Sequence, residues 1–247
     1  MSNRAVNQQR PFGGGLCDDA EVTSSVAILE RPVYSVAEAS RLLRVPPSTL
    51  TYWLDGGRFG RKTYRPVIRP EATGDRTVTW AEFVEASLLR RYRRDHGVPL
   101  PELRDFIDVL RLKFDARYPL TQERPFVAGR QLVVAAQEES DLPEELWLVA
   151  PAKNQPLLLA PADAHLRSIT FKDGAAARLN PTDDPASPVV IDPAVRFGKP
   201  SVRGVSTEVI WEHSNDGYAA DEIAEQFDLD RKDVERSLAY EYASHAA

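Results

Sequence analysis

The stretch SVAEASRLLRVPPSTLTYWLD, residues 35–55, decides how the front of the chain folds. Ser35-Val36-Ala37-Glu38 has the form of a capping box. The Ser35 hydroxyl can accept from the amide of Glu38, and the Glu38 carboxylate can reach back to the amide of Ser35. Val36, Ala39, Leu42 and Leu43 then share one helix face. Arg44-Val45-Pro46 leaves room only for a tight turn, and Pro47 suits the first turn of a second helix. That helix puts Leu50, Trp53 and Leu54 inward at helical spacing and leaves Ser48, Thr49, Thr51 and Tyr52 outward. Small hydroxyl side chains beside a tyrosine can approach base edges and phosphates closely, as a recognition helix must.

The residues that follow are basic. Asp55-Gly56-Gly57 ends the helix, after which come Arg58, Arg61, Lys62, Arg65 and Arg69 with no acid among them, and then Arg76. Val67-Ile68-Arg69 and Thr77-Val78-Thr79 are expected to pair as strands around a turn at Thr73-Gly74-Asp75. A basic hairpin behind a recognition helix is a wing whose arginines grip phosphate while the helix occupies the major groove. The candidate DNA contacts are therefore Ser48, Thr49, Thr51, Tyr52, Arg58, Arg61, Lys62, Arg65, Arg69 and Arg76.

This arrangement resembles the winged-helix DNA-binding domain of the MerR family over about residues 33–118. As in that family, a further helix follows the wing, here from Trp80-Ala81-Glu82-Phe83 to about His96. Gly97-Val98-Pro99-Leu100-Pro101-Glu102-Leu103 then turns into the next. The wing is long for the family. The cysteines of its metal-sensing members are missing, so the resemblance does not extend to metal-dependent induction. The helix from Pro101 to Tyr118 carries Leu103, Phe106, Ile107, Leu110 and Phe114 on one stripe, expected to pack on the winged helix.

From 126 to 180 the pattern changes to short β-like runs at 126–127, 132–134, 146–149, 157–159 and 168–171. Breakers such as Gly129, Pro143, Pro151 and Asp173-Gly174 separate them. Residues 181–188, with Pro181, Asp183, Asp184, Pro185, Ser187 and Pro188, have linker composition. Val189-Val190-Ile191 reads as a short strand, and Arg203-Gly204 as a tight turn into a helix from Thr207 to Asn215. Two more helices are expected, Asp221–Phe227 and Arg231–Tyr242. Their core would comprise Ile223, Ala224, Phe227, Leu229, Val234, Leu238 and Tyr242.

Asp192-Pro193, Phe197-Gly198-Lys199-Pro200, Arg203-Gly204, Ile223-Ala224-Glu225-Gln226-Phe227 and Val234-Glu235-Arg236-Ser237-Leu238 are similar to the DUF433 family, a helix-turn-helix relative found in many VapB-type antitoxins. Gly204-Val205-Ser206 departs from the Gly-Thr-Arg common there. The resemblance implies dimerisation as much as DNA contact. Phe197-Gly198-Lys199-Pro200 is not a phosphate loop, because Pro200 removes an amide such a loop needs.

Composition sets the outer bounds. The formal net charge is −6, but it divides along the chain: residues 31–124 hold 18 Lys or Arg against 12 Asp or Glu, residues 189–247 hold 6 against 12. A basic front and an acidic back suit different partners. No run of about 18 apolar residues is present to cross a membrane. The first thirty residues read as a disordered tail, Cys17 is the single cysteine, and a cytoplasmic location is the default expectation. His96, His165, His213 and His245 are scattered without metal-ligand spacing, so neither an enzyme nor a metal or other cofactor is expected.

These readings predict an α+β chain: a tail at 1–30, a winged helix-turn-helix at 31–124, a central β-rich segment at 125–180, a linker at 181–188, and a small helical, helix-turn-helix-like domain at 189–247. With the two resemblances they imply the homodimeric antitoxin of a type II toxin–antitoxin system. It would repress its own operator and neutralise a cognate toxin, a PIN-domain ribonuclease, with the acidic stretch 138–145 or the acidic C-terminal domain covering the toxin's basic surface. The alternative is a one-component transcription regulator whose central segment, with Trp147, Phe171 and the leucines of 157–159, senses a ligand.

Overall fold

The computed structural model describes residues 27–95, 100–144, 147–150, 157–182, 184 and 186–245. Cys17 and the tail to residue 26, the expected turn at 96–99, Glu145, the breaker at 151–156, and Asp183 and Pro185 lie outside the described residues. The folded chain starts before the expected boundary at 31: Leu29 is buried and Glu30 pairs with Arg117 at 3.7 Å.

The front begins with β1 (Pro32–Ser35), followed by α1 (Val36–Leu43) and α2 (Pro47–Asp55). Half of the capping box forms, with Glu38 N donating to Ser35 Oγ at 3.2 Å. Ala39, Leu43, Leu50, Trp53 and Leu54 are buried, as the spacing predicts. A short hairpin follows at once, β2 (Gly57–Phe59) against β3 (Lys62–Tyr64), and β4 (Thr77–Thr79) returns to pair antiparallel with β1. The expected pairing of 67–69 with 77–79 therefore does not form. Val67 and Ile68 are fully buried, and both amides donate to the carbonyl of Trp53, at 2.9 and 3.0 Å, which ties them to the end of α2 instead.

A complete capping box starts α3 (Trp80–Asp95). Thr79 N donates to Glu82 Oε2 at 2.9 Å, and Glu82 N to Thr79 Oγ1 at 3.3 Å. Then α4 (Leu100–Phe114) buries the predicted stripe. The central segment departs from expectation. Its first two β-like runs lie in helices α5 (Arg124–Val127) and α6 (Arg130–Glu139), and only the later runs are extended. These are β5 (Val149–Ala150) with β6 (Leu157–Leu158) and, after α7 (Ala160–Ser168), β7 (Ile169–Lys172) with β8 (Ala175–Leu179). Gln137 holds β5 in place: its buried amide accepts from Leu148 N and Val149 N and donates to Val149 O.

One hydrophobic core runs from Leu29 to Ile191, so the segments on either side of residue 124 share it. A second core is built from 189–240. The strand read at 189–191 is the seam between them. Ile191 exchanges hydrogen bonds with Leu179 and Val190 with Ser201, while Val189 points into the second core and Ile191 into the first. Beyond the seam lie β9 (Ser201–Val202), β10 (Val205–Ser206), α8 (Thr207–Asn215), α9 (Ala220–Phe227) and α10 (Arg231–His245). Arg203 and Gly204 make the β9–β10 turn with both φ angles positive, 48° and 82°. That is the handedness a two-residue hairpin demands.

One core residue is reassigned. Tyr240 is buried, whereas Tyr242 is 57% exposed and packs its ring on Trp211. The inward stripe of α10 includes the polar residues Ser237 and Glu241, and Glu241 is accommodated because Thr207 Oγ1 donates to its carboxylate at 2.5 Å.

Candidate nucleic-acid interface

The candidate surface is the outer side of α2 with the hairpin joined to it. At the α1–α2 turn, Arg44 takes left-handed backbone angles (φ 52°, ψ 47°) and its amide donates back to Arg41 and Ser40. The chain then enters α2 through Pro46 and Pro47. Ser48 and Thr51 are exposed; Thr49 and Tyr52 are half-buried. Thr51 Oγ1 donates to Pro47 O at 2.9 Å, leaving its oxygen free to accept from a ligand.

Gly56 lets the hairpin follow α2 directly. Its φ is +70°, and a Cβ there would sit 2.2 Å from the Tyr64 carbonyl oxygen. The reversal at Gly60-Arg61 needs positive φ at Gly60, 61°, the first central position of a type II′ turn. The rings of Tyr52 and Tyr64 meet edge-on at 6.2 Å and fix the hairpin against the second half of α2.

The six predicted basic contact residues do not share one environment. Arg58, Arg61 and Lys62 are exposed on the hairpin, where Arg58 Nε donates to the Gly60 carbonyl at 3.3 Å. Thr51 and Arg76 line one open groove of about 500 Å³ with Ser35, Pro47, Asp55 and Asp75. Asp75 keeps its charge easily there, because the backbone and side-chain groups of Thr77 hydrogen-bond its carboxylate and lower its pKa. Arg65 is exposed but engaged, reaching Asp108 at 3.0 Å and Asp105 at 3.5 Å on α4.

Arg69 is a correction. It is 2% exposed and cannot touch DNA. Its guanidinium binds Glu82 (2.8 Å), Asp55 (2.8 Å), Thr73 Oγ1 (2.7 Å) and the carbonyls of Asp75 and Thr77. Asp55 also accepts from the amides of Thr73 and Gly74. Arg69 thus joins the end of α2, the start of α3 and the 73–77 loop carrying Arg76. Its role is to position the surface.

Two residues of α4 also position it and were missed from sequence. Arg104 Nε donates to the carbonyls of Arg65 and Pro66, both at 3.0 Å, and Arg111 donates to those of Val67 and Ile68. On a helix face otherwise read as an apolar stripe, neither had a sequence signal marking it as a clamp.

Two of the side chains considered for a ligand pocket are used in packing, while those of Leu157 and Leu158 lie outside the described residues. Trp147 and Phe171 lie against the main core, and Trp147 Nε1 donates to Leu142 O at 2.7 Å. His165 is buried with Nε2 at 3.3 Å from the Leu120 carbonyl, and burial pushes its pKa down to about 3. It is a neutral core histidine. No described helix is long and apolar enough to cross a membrane.

Comparison with known proteins adds identity to this geometry. The family model described as "Protein of unknown function (DUF433)" matches residues 189–240. "Uncharacterized protein Rv2308" of Mycobacterium tuberculosis (strain ATCC 25618 / H37Rv) is 32% identical over 231 residues, covering 90% of this chain and 94% of that protein. "Putative antitoxin VapB45" of the same organism is 30% identical over 196 residues, covering 72% of this chain and 80% of that protein. The X-ray crystal structure of Rv2018 from M. tuberculosis superposes with a TM-score of 0.69 at 25% identity, over 85% of this chain and 99% of that one. The chain belongs to the family that includes Rv2308 and VapB45, with a DUF433 domain over residues 189–240.

Proposed function

We propose that this protein is the antitoxin of a type II toxin–antitoxin pair, a cytoplasmic, non-enzymatic autorepressor that binds operator DNA as a homodimer and neutralises a PIN-domain ribonuclease. The observation that carries the DNA half is the continuity of α2 with its hairpin. Exposed hydroxyls on a helix run directly into the exposed cations Arg58, Arg61 and Lys62, with Arg76 on the loop that the buried Arg69 pins to the same helix. In this reading α1 and α2 are the helix-turn-helix of a MerR-like winged unit, and β2–β3 is its wing. The wing is then shorter and earlier in the chain than 67–79. A homodimer would present two such units to the half-sites of a palindrome.

The toxin half rests on kinship with VapB45 and on the acidic charge of residues 189–247. Two measurements test the proposal. The full chain should shift a DNA fragment from upstream of its own gene, with an affinity that falls steeply with salt. Co-expressed with the protein encoded beside it, the chain should co-purify with that protein and suppress its ribonuclease activity. Salt-insensitive or absent DNA binding would remove the first half, and failure to co-purify the second.

A further inference from the structure

Of the described Phe, Tyr and Trp residues, only Phe197, Tyr218 and Tyr242 are exposed, and all three lie beyond the seam at 189–191. Two of them belong to clusters that flank α8. On one flank Trp211 is held between Tyr242, edge-on at 4.5 Å, and the ring of His245, stacked at 4.9 Å. On the other, His213 lies 5.6 Å from Tyr218 and 5.0 Å from Phe227. Ile210 faces the core, so helical periodicity puts Glu208 and Glu212 on the outward ridge between the flanks. Glu208 is paired with Lys199, whereas Glu212 has no ion-pair partner among the described residues.

The wider domain has acid to spare. Residues 206–247 hold 11 acids against Arg231, Lys232 and Arg236. Arg231 is already paired with Asp221 and Glu235, and Arg236 lies 3.9 Å from Asp184. Trp and Tyr rings already packed on one another beside an uncompensated carboxylate offer anchors that lose little side-chain entropy on docking. Phosphate would be repelled from this face, and a second copy would set one Glu212 ridge against another. A cationic protein surface meets both the aromatic seams and the charge.

We infer that the outer face of α8, with Trp211, Tyr242 and His245 on one side and Tyr218 on the other, is the docking surface for a protein of basic surface. Resting on the antitoxin reading above, that protein is the cognate toxin.

The test uses the full chain as wild type, Y242A and E212K, titrated with the purified protein encoded beside it. Both substituted side chains are exposed, and unchanged melting and operator binding serve as fold controls. Tyr242→Ala should weaken the complex tenfold or more. Glu212→Lys should weaken it further and flatten its salt dependence. If wild type binds and both variants match it within twofold, the surface is misplaced while the antitoxin reading survives. If wild type does not bind, that reading falls and the surface with it. If the variants instead turn a dimer into a monomer at unchanged toxin affinity, the face belongs to a second copy and the inference is overturned.

Discussion

Residues 36–47 and 220–231 trace nearly the same backbone and carry opposite chemistry. Each is an eight-residue helix, a three-residue turn opened by a left-handed residue, and a second helix. Arg44 sits at φ 52°, ψ 47° and Asp228 at φ 53°, ψ 47°. The amides that follow, of Val45 and Leu229, bond back to Ser40 and Ala224. Asp tolerates that conformation better than most residues. Arg has no such tolerance, but its guanidinium is used: it donates to Ser244 Oγ at 3.2 Å and lies 5.7 Å from the Tyr240 ring, joining the turn to α10. Apolar spacing and one turn suffice for the shared backbone, while the side chains left outside it set the partner. The front is followed by cations, the back is rich in acids.

The two units also differ in what they bury. Among the described residues, the front buries Arg69, Glu82, Glu85, Arg104 and His165, whereas Glu241 is the one Asp, Glu, His, Lys or Arg buried in the back. Arg69→Ala is therefore the change with the largest expected effect. It leaves Glu82 buried without its cation and frees the 73–77 loop, costing about 3–5 kcal/mol. Urea unfolding of the full chain should show the loss. A midpoint unchanged from wild type would mean that Arg69 does not hold the front together.

Glu85 sharpens the contrast through pH. Burial raises its pKa to about 8, against the opposing pull of Arg111 and the Leu120 amide, which donates to Oε1 at 3.1 Å. A carboxyl with a raised folded pKa contributes its full stability below the unfolded value of about 4.3 and loses it as pH rises through the folded value. Above about pH 6.5, where His165 no longer offsets it, wild type should therefore weaken by on the order of 2 kcal/mol up to about pH 8, while Glu85→Gln stays flat over that window. His165 has the opposite sign: its depressed pKa costs stability as pH falls from about 6.5. Parallel pH profiles for wild type and E85Q would show that Glu85 is not the group responsible.

Legibility from sequence follows the same divide. The helices at 36–55 were readable because their apolar spacing is uninterrupted, even with the small polar Ser40 buried beside it. Tyr242 was misplaced because the inward stripe of α10 is partly polar, with Ser237 and Glu241 where the apolar pattern leaves a gap. Adjacent valines at 133 and 134 suggested strand, yet Arg130, Gln131, Leu132, Ala135, Ala136 and Gln137 are good helix formers, and helix prevailed. At the candidate site, Ser48, Thr51, Arg58, Arg61 and Lys62 lay where a surface reading puts them. Arg69 did not, because the acids that claim it are 13 and 14 residues away on other elements. In a run of cations nothing local distinguishes the buried one from its neighbours.

That distinction gives a graded prediction for DNA binding. Alanine at Arg58, Arg61 or Lys62 should weaken binding on every sequence and reduce the slope of log K against log salt by about one, with stability unchanged. Alanine at Ser48 or Thr51 should alter base preference instead, by about 1–3 kcal/mol for a lost base contact. Arg65, tied to Asp105 and Asp108, should change the slope less than Arg61. Equal slopes for all of these variants and wild type would detach the hairpin from DNA and leave the basic front without a role.

The smallest effect is expected where the back domain has its own arginine network. Arg203 reaches Asp230 at 3.2 Å and Asp233 at 3.8 Å, but its side chain is 61% exposed. Such pairs are screened by water and salt and contribute up to about 1 kcal/mol. Arg203→Ala keeps the same left-handed backbone strain, because neither residue is glycine, so the change isolates the ion pairs. The urea midpoint should move little, and less still at high salt. The test is then one of burial alone: two arginines, each with two carboxylate partners, one closed off from water and one open to it. If Arg203→Ala proved as costly as Arg69→Ala, the number of partners rather than their desolvation would govern stability, and the contrast between the two units would have to be rebuilt on that basis.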